Sequence, residues 1–160
     1  MNFVIHWEQW IFWGFVASLA LVCFESLAQG LGLTRLNLPY ILGSAFTPDR
    51  DHARAFGLLL HIFIGWMFSF VYVIAMLFLG GPTWYHGVFI GLAHAFVICV
   101  IGFQAIPGIH PRMASETHGP TATRMIEPPG FMGLNYGIST PFAIFVTHAI
   151  FGAILGAFYR

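Results

Sequence analysis

Residues 56–79 read FGLLLHIFIGWMFSFVYVIAMLFL, an apolar run in which His61 is the one imidazole and no Asp, Glu, Lys or Arg occurs. A membrane-spanning helix needs about 20 mostly apolar residues, so this run is long enough to cross a bilayer. Runs of similar character occur elsewhere in the chain. The predicted spans are residues 10–31, 56–79, 85–106 and 140–158. We therefore predict an all-α fold, a bundle of four transmembrane helices forming one membrane domain over residues 1–160.

The composition supports an integral membrane protein. Apolar residues make up 58% of the chain and charged residues only 8%, with a mean hydropathy of +0.80. A soluble domain carries about 25% charged residues. The formal net charge is zero, which argues against a nucleic-acid partner because phosphate binding needs a concentrated basic face. Cys23 and Cys99 both lie in apolar runs, so we expect two buried hydrophobic side chains and not a disulfide or a metal pair.

The arginines predict the orientation of the chain in the membrane. Five of the six lie in two long connections, residues 32–55 and 107–139, and Arg160 lies at the other end of the spans. The positive-inside rule then places both long loops in the cytoplasm and both termini outside, in a bacterial inner membrane. The N-terminus lacks the basic region of a signal peptide, so we expect its apolar run to be retained as a span.

The two loops carry their own signals. The stretch Leu36–Leu42 is apolar but too short to span, which predicts that it lies along the membrane surface or folds back against the bundle. In the second loop, Glu116 and Glu127 balance the two arginines, and apolar side chains are frequent over residues 127–136. Because long ordered loops are often functional, we expect this loop to cap the bundle or to dock onto a partner.

A short motif occurs twice. His61-Ile-Phe-Ile-Gly65 is followed by Tyr72, and His148-Ala-Ile-Phe-Gly152 is followed by Tyr159, so both copies read His-x3-Gly-x6-Tyr. The recurrence predicts a tandem repeat of two helices. On a helix the three motif positions fall within about 40° of one another. The glycines are then expected to bring helices close together, and the tyrosines to act as anchors at the membrane interface.

Ionisable residues inside apolar runs are candidate functional residues. Glu25, His61 and His148 lie at a similar depth, roughly 8 to 12 Å from the cytoplasmic ends of their helices. His94 lies deeper, beside the small-residue face of the third span. The first interpretation of this group is a structural network, in which a buried carboxylate and imidazoles satisfy one another and fix the register of the helices.

Two further interpretations stay open. Two histidines on different helices can hold a b-type haem, single histidines can hold a (bacterio)chlorophyll, and histidines with a carboxylate can hold a transition metal. The candidate cofactor ligands are His61, His148 and His94, and the candidate metal ligands are Glu25, His61 and His148. Alternatively, the same residues form a relay in an oligomeric transporter of protons or small solutes.

The His-x3-Gly helices, the second of them continuing to a further glycine near the C-terminus, resemble small four-helix bacterial integral membrane proteins of unknown function. The resemblance implies the architecture and no activity. The residues predict a small accessory or structural subunit of a larger membrane complex, photosynthetic or respiratory, and not an enzyme. Its expected partners are the lipid bilayer and other membrane subunits, or a further copy of the chain, contacted through helix faces rich in Gly, Ala and Ser.

Overall fold

The computed structural model describes residues 4–115 and 119–160, and over these residues the regular secondary structure is helical. The α-helices are α1 (Trp7–Gly30), α2 (Leu38–Ser44), α3 (Arg50–Phe78), α4 (Trp84–Val97), α5 (Phe103–Ile109) and α6 (Thr140–Phe158). A π-helical segment, Ile98–Gly102, joins α4 to α5, and a 3-10 helix, Phe131–Tyr136, precedes α6. The predicted all-α class is confirmed for the described part of the chain.

In the part of the chain that the structure describes, four helices are long and apolar enough to cross a membrane: α1, α3, α6 and the continuous segment Trp84–Ile109. The prediction of four spans is therefore confirmed in length and composition. The largest difference is at α3, which begins at Arg50 instead of Phe56. Hydropathy marks only the apolar part of a helix, whereas Asp49 caps a polar first turn by accepting a hydrogen bond from the His52 backbone N–H at 2.8 Å. The same bond lowers the pKa of the Asp49 carboxyl.

The positions of the helices test neither the predicted tandem repeat nor the predicted orientation of the chain in the membrane. The histidine and the glycine of both copies lie in helices, but a short shared motif at two places is equally compatible with two unrelated spans. The cytoplasmic position of loops 32–55 and 107–139 and the outer position of the termini likewise stay predictions. Glu116, part of the predicted charge balance in the second loop, lies outside the described residues.

The chain divides into two compact units. The first comprises Met1–Ser26, Ile62–Ala95 and Ile144–Arg160, and the second comprises Leu27–His61 and Phe96–Ala143. The core of the first unit is formed by apolar and aromatic side chains of α1, α3 and α6. Its buried members are Ala17, Leu21, Tyr72, Val73, Met76, Phe151, Leu155 and Tyr159. Around this core, Trp10 stacks on Trp66 with ring centroids 5.2 Å apart, and Trp13 stacks on Phe158 at 4.6 Å.

Glycines bring α4 and α6 into backbone contact within the first unit. A Cβ atom added at Gly87 would overlap the carbonyl oxygen of Gly152, and one added at Gly152 would overlap that of Gly87. One turn away, a Cβ at Gly91 would overlap the carbonyl oxygen of His148. Backbones this close gain van der Waals contact that no larger residue permits. The predicted close approach of helices at their small residues is confirmed for this pair.

In the second unit, the short helix α2 packs on the start of α3 by the same means. A Cβ at Gly43 would overlap the carbonyl oxygen of Ala53, and one at Gly57 would overlap that of Pro39. Within this unit the apolar stretch 36–42 thus forms most of a short helix that lies against α3; its position on the membrane surface or against the whole bundle stays a prediction. Asn37 caps that helix by accepting a hydrogen bond from the Tyr40 backbone N–H at 2.8 Å.

The two cysteines differ in exposure. Cys99 is buried, as predicted, but Cys23 is exposed, so the prediction of a buried side chain at that position was wrong. An apolar run fixes the presence of a spanning helix, whereas the face that a given residue occupies depends on which helices pack beside it.

Candidate functional site

The predicted site residues are distributed over both units. Glu25, His94 and His148 belong to the first unit, and His61 belongs to the second. His61 and His148 are buried, whereas Glu25 and His94 are half-buried. A ligand shared by Glu25, His61 and His148 stays a prediction. Within the first unit, the structure brings His94 and His148 together.

His94 lies at the centre of an aromatic group. Its Nδ1 atom is 2.9 Å from the hydroxyl oxygen of Tyr72, and its ring stacks on Phe68 with centroids 4.9 Å apart. The ring of His148 meets that of His94 edge to face, with centroids 5.0 Å apart and planes at 87°. The imidazole is thus fixed by one hydrogen bond and by ring contacts from both α3 and α6.

His148 is anchored to its own helix. Its Nδ1 atom lies 2.9 Å from the carbonyl oxygen of Ile144, one turn earlier in α6. Since a carbonyl can only accept, Nδ1 carries the proton, and Nε2 is then the ring nitrogen with the lone pair in the neutral side chain. The close approach of Gly91 to the backbone of His148 lets α4 bring His94 to this ring.

The tyrosines of the repeated motif have a different role from the one expected. Both were predicted to anchor the helices at the membrane interface, yet Tyr72 and Tyr159 are each only 1% exposed. Tyr72 bonds His94, and the hydroxyl of Tyr159 accepts a hydrogen bond from the backbone N–H of His6 at 3.0 Å. The interface prediction was wrong because a tyrosine near a helix end can satisfy its hydroxyl inside the protein when a neighbouring helix supplies a partner.

The pairing of Tyr72 with His94 is the feature that the sequence did not reveal. The two residues lie on consecutive spans joined by a tight connection, so an antiparallel hairpin brings residues at matching distances from the turn to one level. Tyr72 lies six residues before the end of α3 and His94 ten residues after the start of α4, so the hairpin predicts contact between the two helices, but the spacing alone does not select this pair. The further contact of His94 with His148 depends on the docking of α6, which no local pattern specifies.

The side chains around His94 are two imidazoles, one phenol and an apolar ring, that of Phe68. Over residues 4–115 and 119–160, the structure holds no group of three or more His, Cys, Asp or Glu side chains placed to bind one metal ion. A pair such as His94 and His148 can supply one or two nitrogen ligands, or it can hold helices in register. Searches against protein-family models, curated proteins and solved structures found no match for this chain.

Proposed function

We propose that this chain is a small, non-catalytic accessory or structural subunit of a larger membrane complex. The observation that supports this proposal is that polar side chains on the spanning helices bond to one another and to the backbone. Among the described residues, no buried side-chain nitrogen or oxygen lacks a hydrogen-bond partner. A polar group that serves helix packing in this way has no need of a substrate.

The first unit gives three examples of such internal bonds. The indole N–H of Trp10 donates to the hydroxyl of Ser69 at 2.9 Å, and the hydroxyl of Ser18 donates to the carbonyl of Gly14 at 2.8 Å. Tyr72 and His94 form the third. These bonds join α1 to α3 and α3 to α4, or tie a hydroxyl to its own helix. Their common effect is to fix helix register, which is the property that a scaffold subunit requires.

The outward faces of the spanning helices fit an environment of lipid and neighbouring subunits. Large apolar side chains on these faces are widely exposed, among them Phe12, Phe63, Phe89 and Phe96. The arginine distribution supports an assignment to a bacterial inner membrane with the long loops in the cytoplasm. The high aromatic content, 18% of the chain, suits contact with pigments or with other subunits of a photosynthetic or respiratory complex.

Affinity purification tests the subunit proposal. The full chain, tagged and expressed in its native host, is extracted in a mild detergent and its co-purifying proteins are quantified. We expect one or more membrane proteins in stoichiometric amounts, and their loss when Phe63 and Phe89 are both replaced by Ala. A matched Phe142→Ala variant, with its exposed side chain on α6, reports whether the first two positions are specific.

Purification of the chain alone, as a monodisperse species, would contradict the subunit proposal. If such a preparation also conducts protons in liposomes, and if Glu25→Gln abolishes the conductance, the transport interpretation replaces it. Glu25 is half-buried in α1. The change to Gln keeps the volume of the side chain and replaces the carboxyl group by an amide.

A second candidate function, pigment or haem binding, is favoured by the anchoring of His148. Histidines that ligate metals commonly donate their other ring N–H to a carbonyl or a carboxylate, as His148 does to Ile144. Rings in edge contact at 5.0 Å leave no room for a flat macrocycle between them. One histidine of the pair, and not both, would therefore hold the metal of such a group.

An absorption spectrum distinguishes this candidate from the first. If a pigment or haem is bound, the protein purified from its native host shows the corresponding visible band. His148→Ala should remove the band or shift it, while His52→Ala, a change at an exposed position outside the helix core, should leave it unchanged. A colourless, metal-free preparation would contradict the cofactor function.

A further inference from the structure

A basic cavity lies within the second unit, outside the histidine cluster. Its volume is about 510 Å³, within the range of about 300–1,000 Å³ that is usual for small-molecule sites. It is lined by α2, the first turns of α3, the end of α1 and the loop that precedes α6. The lining residues are Gln29, Arg35, Asn37, Tyr40, Ile41, Arg50, Arg54, Met125, Ile126, Glu127 and Tyr136.

The charges in this cavity are unbalanced. Among the described residues, three guanidinium groups line it against a single carboxylate, Glu127, in a chain whose total charge is zero. Arg35 lies 3.7 Å from Glu127, and Arg54 lies 3.9 Å from Asp51, but both pairs are largely exposed and therefore weak. Within the described residues, the guanidinium of Arg50 has no ion-pair or hydrogen-bond partner. Three of the six basic residues of the chain thus line this cavity, and one of them, Arg50, has no ion-pair or hydrogen-bond partner among the described residues.

The wall that carries Glu127 is held in place by hydrogen bonds. The backbone N–H of Arg35 donates to the carbonyl of Tyr136 at 2.8 Å, and the Arg35 guanidinium donates to the carbonyl of Asn135 at 2.6 Å. The hydroxyl of Tyr136 donates to the carbonyl of Glu127 at 2.6 Å. Burial raises the pKa of the Tyr136 hydroxyl to about 12, so this side chain adds no negative charge to the wall near neutral pH.

We propose that this cavity binds a phosphate-bearing anion through Arg50, with Arg54 and Arg35. Guanidinium groups present paired N–H donors that match the oxygens of a phosphate, and an uncommitted one can bond without first breaking an internal pair. Tyr40, Ile41 and Met125 offer apolar surface to the organic part of the ligand. Two sources carry the same chemistry: a phospholipid headgroup and a soluble phosphate ester.

The position of the cavity is relevant to which molecule supplies the phosphate group. Arg50 and Arg54 occupy the first turns of α3, and the same helix continues into a membrane-spanning run. Basic side chains at such a boundary lie at the level of lipid headgroups. A headgroup would approach from the bilayer, whereas a soluble ester would enter from the aqueous side.

The test uses the full chain in a maltoside detergent, which carries no phosphate. Inorganic phosphate is titrated in one arm and phosphatidylglycerol in mixed micelles in the other, with the unfolding temperature and native mass spectrometry as readouts. Arg50→Gln should weaken binding of the effective anion about tenfold, as expected for the loss of one charge-assisted contact. Arg160→Gln removes the same charge outside the cavity and should change the affinity less than twofold.

The outcomes distinguish a lipid headgroup from a soluble phosphate ester. Binding of phosphatidylglycerol alone identifies a lipid-headgroup site, and saturable binding of inorganic phosphate identifies a site open to soluble esters. The proposal is overturned if neither probe binds, or if Arg160→Gln weakens binding as much as Arg50→Gln does. Because Arg50 is exposed and has no partner within the described residues, its substitution is expected to leave the unfolding temperature of the ligand-free protein unchanged; Arg54→Gln provides a second variant.

Discussion

Replacing Gly152 by Ala is expected to destabilise the protein by about 3 kcal/mol or more, because the new methyl group has no space to occupy. It would overlap the carbonyl oxygen of Gly87 on the neighbouring helix. That oxygen belongs to the backbone and cannot rotate away, so α4 and α6 must separate. Separation would also remove the contacts of Gly91 with the backbone of His148, and with them the position of the His94 ring.

The measurement is reversible unfolding of the purified protein in mixed micelles, followed by tryptophan fluorescence and circular dichroism. Gly108→Ala is the matched control, because a Cβ at this helical position meets nothing within 4 Å. Alanine favours a helix over glycine by about 1 kcal/mol, so the control should be as stable as the parent protein or slightly more stable. Equal stability of Gly152→Ala and Gly108→Ala would show that α4 and α6 do not touch at this position.

Replacing His110 by Ala is expected to destabilise the second unit by about 2 to 4 kcal/mol. This side chain is buried and bonds on both ring nitrogens. Nδ1 accepts from the backbone N–H of Arg112 at 3.1 Å, which leaves the ring proton on Nε2, and Nε2 donates to the carbonyl of Ile41 at 2.9 Å. Alanine would leave the carbonyl of Ile41, in the middle of α2, without this donor and would open a cavity.

The loss should appear first as mobility of the short helix α2. The His110 ring accepts a hydrogen bond from the backbone of Arg112, and the Arg112 guanidinium donates to the carbonyl of Ser44 in α2. Removal of the ring therefore affects two contacts with that helix. Hydrogen exchange over residues 38–44 is the direct measurement, with unfolding in mixed micelles beside it. His110→Gln keeps a donor and should restore part of the protection. His52→Ala, at an exposed position, should change neither readout. Unchanged exchange in His110→Ala would contradict the role given to this side chain.

The spanning helices were predictable because hydropathy is a local property. A run such as residues 56–79 needs no partner to be recognised as a span, since the bilayer itself acts as the solvent. The ends of the helices were less accessible. Asp49 caps α3, which begins one polar turn before the apolar run. Asn37 caps α2 directly before a Leu-Pro pair. This capping signal was missed because it lies within the apolar stretch Leu36–Leu42, which is too short to span a membrane.

The candidate site was predictable only as a set of residue types. A histidine in an apolar run predicts a polar contact inside the bundle, and two of the histidines named on that ground, His94 and His148, are in ring contact. Which imidazole meets which partner depends on the docking and rotation of whole helices. The sequence grouped His148 with Glu25 and His61 by depth alone, whereas the contact described within the first unit joins His148 to His94 and, through it, to Tyr72.

The sequence by itself determined that this chain forms four helices able to span a membrane, with glycine-rich faces suited to close packing. Both properties follow from the chemistry of single segments: the number of consecutive apolar residues, and the absence of a side chain at intervals of one turn. Only the tertiary structure decided that Gly87 faces Gly152, that His94 bonds Tyr72, and that Arg35 lines one cavity with two arginines of α3. Those relations join residues far apart in the chain, and their geometry is set by how the helices pack.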